Sequence, residues 1–239
     1  MSSSAKVSYD AVGIDVYPTF YQSMINSLLY LTASRPNIAF SVGVCARFQA
    51  APKESHLTAV KRIIRYINDT SDYGIWYSRD SNECLAGYSD VDWAGCVDDR
   101  KSTFGGCFYL GNNLVSWMSK KQNSVSFSMA EAEYIAVASC CAQLLWMKKL
   151  LHDYGITQDT MCVFCDNTSA INLSKNPVQH SKSKHIEIRY HFIRDLVEEK
   201  TVYLDFITTD NQKANIFTKP LDGPKFESLR KTIGVGIIP

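Results

Sequence analysis

At 239 residues, with 46% hydrophobic and 21% charged side chains, the chain has an ordinary globular makeup and length for one or two domains. A formal net charge of +1 excludes attachment to nucleic acid by bulk charge, so phosphate contacts must come from local gatherings of Lys and Arg. No apolar run long enough for a membrane span is expected, and the polar start MSSSAKVSYDAVGIDVYP lacks the pattern of a secretory leader. These features imply an intracellular chain, without a membrane partner, whose eight cysteines are reduced thiols.

Residues 1–16 read as a flexible polar lead, residues 17–80 as a helical region, and residues 81–239 as an α/β domain. The first helix covers YQSMINSLLYLTA and stops near Arg35-Pro36; the second runs through NIAFSVGVCARFQA to Pro52. In the third, KESHLTAVKRIIRYIND, Leu57, Val60, Ile64 and Ile67 form an apolar stripe, with Lys61, Arg62 and Arg65 largely off it.

From Tyr73 the period changes to that of strands. YGIWYS, ECLAGYS, GGCFYLG and LVSWMS follow one another, the last two joined by the tight-turn signal GNN. A long helix from about Ser128 to Asp153 starts with Ser128 as N-cap and Glu131 three residues on. Then come strand MCVFCD, short helix TSAINLSK, a basic loop, helix KHIEIRYHFIRDLVEEK, strand VYLDFIT and a final helix NQKANIFTKPL. This order predicts a mixed sheet: an antiparallel meander, then strands made parallel by crossover helices.

Asp90 and Asp166 both stand at strand ends, where the crevice of such a sheet is expected. A glutamate from the long helix could join them, and helical geometry alone leaves Glu131 and Glu133 equally eligible. Converging carboxylates need cations between them, and Mg²⁺ is the hard, oxygen-seeking choice, with Mn²⁺ as its substitute. Cys162 and Cys165 are three apart on one strand, face opposite ways and lack a second ligand pair, which argues against zinc.

The segments SLLYLTASRPNIAFSV, AVKRIIRYI, GYSDVDWAG, DRKSTFGGCFYLG, SWMSKKQNSVSFSMAEAEYIA, CDNTSAINLSKNPVQHSKSKHIEIRYHFIRD and NIFTKPL carry a family resemblance. In order and spacing, from Tyr17 to Leu221, the chain resembles the C-terminal part of copia-type retrotransposon Pol polyproteins. That resemblance implies the tail of a reverse transcriptase followed by a ribonuclease H domain, a five-stranded mixed sheet with flanking helices. It also implies metal-dependent cleavage of the RNA strand of an RNA–DNA hybrid. The family's catalytic and metal-holding acids fall on Asp90, Glu133 and Asp166, which leaves Glu131 as the capping acid.

The family's fourth acid falls on Asn215 here, an amide that brings no negative charge, so one ion should bind adequately and a second poorly. Asn26 and Met129 also depart from the family pattern, and Asp210 in TTDNQ reads as a helix cap. No Tyr-x-Asp-Asp occurs, so polymerase activity would need the fingers and palm as a partner, and the helical region should expose apolar surface they would cover. Lys182, Lys184 and His185 in HSKSKH are candidate hybrid contacts through phosphates and 2′-hydroxyls. Intact Asp90, Glu133 and Asp166 point to an active nuclease; Asn215 points to a non-cleaving binder or an inert retroelement remnant.

Overall fold

The computed structural model describes residues 7–175 and 187–238. Helix α1 (Pro18–Leu31) opens with a proline, whose missing N–H costs nothing at that position. Its buried Tyr21, Ile25 and Leu28 recur at helical spacing. A 3₁₀ turn (Pro36–Ile38) leads into α2 (Ala39–Ala46), which is shorter than its apolar run suggests. Helix α3 (Glu54–Asp69) packs on α1 and α2 through Ala59, Val60 and Ile63. The buried stripe is thus offset from the one expected, and Ile64 is exposed.

A separate two-stranded ladder pairs β1 (Tyr73–Ile75) with β7 (Val235–Ile237), antiparallel. The main sheet has the order β4 (Asn113–Lys121), β3 (Thr103–Leu110), β2 (Leu85–Asp92), β5 (Met161–Cys165), β6 (Val202–Phe206). Strands β2, β3 and β4 form the antiparallel meander. β5 joins β2 in parallel, and β6 joins β5 in parallel. This is the ribonuclease H-like fold, a five-stranded mixed sheet with flanking helices. The β3–β4 turn needs only Gly111 and Asn112, with Gly111 at φ 58°, where glycine is unstrained.

Helix α4 (Met129–Asp153) lies along one sheet face with α5 (Thr168–Lys175) and α6 (Glu187–Glu198). Its apolar residues contribute to that core: Tyr134, Val137, Cys140, Cys141 and Leu144 are buried. Contrary to expectation, α4 is long and apolar enough by length and composition to cross a bilayer, but half of its apolar window is packed inside the protein. It approaches β2 closely because Gly87 has no side chain; a Cβ there would lie 2.8 Å from Cys140 Sγ.

On the opposite face sit a second 3₁₀ segment (Lys213–Phe217) and α7 (Gly223–Thr232), which pack Ala214, Ile216, Phe217 and Leu229 against Cys107 and Tyr109. The expected final helix is therefore a short 3₁₀ segment, followed by an α7 and a β7 that local periodicity did not indicate. The helices α1–α3 are tied to the sheet by polar bonds. Trp117 Nε1 donates to the Thr32 carbonyl at 3.0 Å, and Arg47 donates to Thr103 Oγ1 at 3.0 Å.

Candidate active site

Parallel pairing of β2 with β5 matches Ser89 to Cys165, so the next residue on each strand is an aspartate, Asp90 or Asp166, at the same end. β2 continues past that point to Asp92, while β5 stops at Cys165 and leaves half-buried Asp166 at its carboxyl end. Asp90 is 1% exposed and faces the 3₁₀ segment. Glu133, 3% exposed, approaches from α4 on the other face, where the Val91 backbone amide donates to its carboxylate. Ser128 starts α4 by accepting from the Glu131 amide at 3.1 Å. Glu131 in turn accepts from the Phe127 amide at 2.8 Å, so it caps as expected.

Donor atoms of Glu133, Asp166 and Cys165 all lie within 4.8 Å of one another. Asp90 is not in that group. Its Oδ2 instead accepts from Thr218 Oγ1 and lies 3.5 Å from Lys219 Nζ. Asp166 Oδ2 accepts from Thr209 Oγ1 at 2.9 Å. Burial raises the Asp90 pKa, against the pull of Lys219 and Thr218, and Asp166 raises it further. Glu133 is pushed well above the ordinary carboxylate value by burial first, then by Asp90 and Asp166. Burial likewise pushes the Cys165 thiol up.

Asn215 is buried at 1% exposure beside these acids; its Nδ2 donates to the Thr209 carbonyl at 2.8 Å, and its Oδ1 has no partner. Gln212 rather than Asp210 caps the 3₁₀ segment, its Oε1 accepting from the Ala214 amide at 3.2 Å. Its Nε2 donates to the Ser89 carbonyl at 2.9 Å, fastening the segment to β2 next to Asp90. Asp210 is exposed and pairs with Lys225 at 3.0 Å. Thr218, Lys219 and Gln212 were not singled out in the sequence; spacings of three and four from Asn215 were the available signal for the first two. Lys182, Lys184 and His185 lie outside the described residues.

A cavity of about 920 Å³ lies elsewhere, between the segment around Tyr9, α3 and the start of α7, and includes none of the acids in its lining.

No protein-family model matches the chain. The retrovirus-related Pol polyprotein from transposon RE1 of Arabidopsis thaliana is 42% identical over 224 residues, 93% of this chain. The chain belongs to the copia-type retrotransposon Pol polyprotein family. It spans about 15% of the length of the curated relatives it matches. Among solved structures, a foamy viral protease-reverse transcriptase in complex with double-stranded DNA is similar at TM-score 0.50 and 13% identity, over 84% of this chain and 33% of that one. An RNase H1 solved in complex with an RNA/DNA hybrid has TM-score 0.43 and 13% identity, covering 56% of this copia-type segment and 93% of that chain.

Proposed function

We propose that this copia-type segment is a ribonuclease H that hydrolyses the RNA strand of RNA–DNA hybrids with Mg²⁺, or Mn²⁺ in its place. The observation that carries the reading is the gathering of Glu133 and Asp166 donor atoms within 4.8 Å at the carboxyl end of the parallel strands, with Asp90 on β2 in the register that matches Asp166 at the end of β5. Three oxygen-bearing acids from separated parts of the chain suit a hard divalent ion, which would take their carboxylate oxygens in preference to the Cys165 sulfur beside them. Glu133 and Asp166 would hold the ion, with Asp90 at its side. A bound divalent ion supplies charge for the developing phosphorane and lowers the pKa of a water.

The chain's own groups do the rest. Burial keeps bulk water from screening the acids, and the Val91 amide fixes the Glu133 carboxylate. Thr209 orients Asp166, and Thr218 orients Asp90. Exposed Trp93, Phe127 and Met129 lie on the segments leading out of β2 and into α4, where a hybrid's sugars and bases would pass. A second reading is a hybrid binder that does not cut, favoured by Lys219 on Asp90 and by the uncharged Asn215.

The test is incubation of purified protein with labelled hybrid in Mg²⁺ and in Mn²⁺, beside a Glu133→Gln control. Cleavage that the substitution abolishes supports the nuclease. Hybrid retarded in a gel but never cut favours the binder, and cleavage equal in both proteins is contamination and overturns the assignment.

A further inference from the structure

Lys219 is the group at this site that the acids' arrangement does not explain. Its ammonium lies 3.5 Å from Asp90 Oδ2, against a carboxylate only 2% exposed, while its own side chain remains 31% exposed. Thr218 donates to the same oxygen. Meanwhile the position three residues before Thr218 is Asn215, with a buried oxygen and no charge.

Charge counting gives this arrangement a meaning. With an ion bound and the acids ionised, Asp90, Glu133 and Asp166 would carry three negative charges and Lys219 one positive charge, a net of two that a single divalent ion balances. The lysine is on the Asp90 side of the crevice, while the Glu133 and Asp166 donor atoms lie together within 4.8 Å. An ammonium is a compact point charge on a flexible stem, able to neutralise a buried carboxylate without fixed ligand geometry.

We propose that Lys219 is a tethered counter-ion of Asp90 that takes the charge-balancing place of a second metal ion, so that the site binds one divalent ion per chain. Lys219 is a positioning residue: it acts on the ion through Asp90. The inference rests on the metal-site reading above, but its test needs no nucleic acid.

Mn²⁺ binding is titrated by calorimetry and by the loss of free-ion electron paramagnetic resonance signal. The proteins are wild type, Lys219→Arg, Lys219→Met and the pair Asn215→Asp with Lys219→Met, each checked for native fold by circular dichroism. Wild type and Lys219→Arg should bind one ion with similar affinity. Lys219→Met removes the competing cation and should bind Mn²⁺ about tenfold more tightly or admit a weak second ion. The double variant should bind two ions. Two ions of similar affinity on wild type would overturn the proposal, as would a folded Lys219→Met protein with unchanged affinity and stoichiometry. If the single ion and its response to Lys219→Met are found without hybrid cleavage, the nuclease reading fails and this one stands. Glu133-dependent cleavage with two equal ions on wild type gives the reverse.

Discussion

Gly105 controls how closely the Thr218-Lys219 segment approaches Asp90, so a single methyl group there tests the geometry of the whole site. Asp90 and Gly105 are antiparallel partners on β2 and β3. A Cβ at Gly105 would lie 2.6 Å from Thr218 Cγ2, 2.8 Å from Phe217 Cβ and 3.0 Å from the Ala214 carbonyl oxygen. Comfortable carbon contacts lie near 3.5–4.0 Å, so Gly105→Ala must push the 3₁₀ segment off the sheet by about 1 Å. Overpacking of that kind costs about 1–3 kcal/mol. Urea unfolding followed by circular dichroism reads the cost as a lower midpoint at unchanged slope. Gly106→Ala is the control, because its Cβ meets nothing closer than 3.3 Å, and it should cost distinctly less. A Gly105→Ala loss below about 0.5 kcal/mol, or equal losses in both variants, would refute the reasoning.

Gln212→Ala removes the donor to Ser89 and the 3₁₀ cap together at a fully buried position; a loss of about 1–3 kcal/mol is expected by the same assay. Ser128→Ala should cost about 1 kcal/mol by uncapping α4, read as a lower midpoint that Ser128→Asp largely restores. Asp90 and Glu133 have raised pKa values in the folded chain, so the folded state holds their protons more tightly than the unfolded state does. Their contribution to stability is therefore lost as pH rises from the ordinary carboxylate range through the folded values. Metal-free Tm should fall across that window, Glu133→Gln should flatten the fall, and the Tm gain from Mg²⁺ should grow with pH. A Mg²⁺ effect independent of pH would contradict it. Restoring the acid with Asn215→Asp should raise cleavage at limiting Mg²⁺, and an unchanged rate would remove this position from the ion's surroundings.

Periodicity was enough for the helices α1 and α3, the long α4 and the β3–β4 hairpin, because each is stated by residues close together in the chain. The offset of the α3 stripe from Ile64 to Ile63 is different: both are isoleucine, and only the partners in α1 and α2 decide which is covered. Of the β1–β7 ladder only the β1 strand was legible, within YGIWYS; its pairing with β7 was not, because three residues at the far end of the chain carry almost no local signal. At the site, strand ends located Asp90 and Asp166, whereas the choice of Glu133 over Glu131 required the family resemblance. Their contacts separate them: Glu131 accepts from the Phe127 amide at the helix start, whereas Glu133 lies within 4.8 Å of the Asp166 donor atom. Thr218 and Lys219 lie in the family segment NIFTKPL, with Gln212 just before it, but a threonine, a lysine and a glutamine show no part in the site until the turn is folded onto β2.

The pairing of Tyr73–Ile75 with Val235–Ile237 sets a timing rule for synthesis. A ribosome delivers the partners of β1 only after almost every other element has emerged, so the early helices must wait with one flanking edge open. During that wait the nascent chain offers a short template to any passing strand, and closure by residues 235–237 is what removes it.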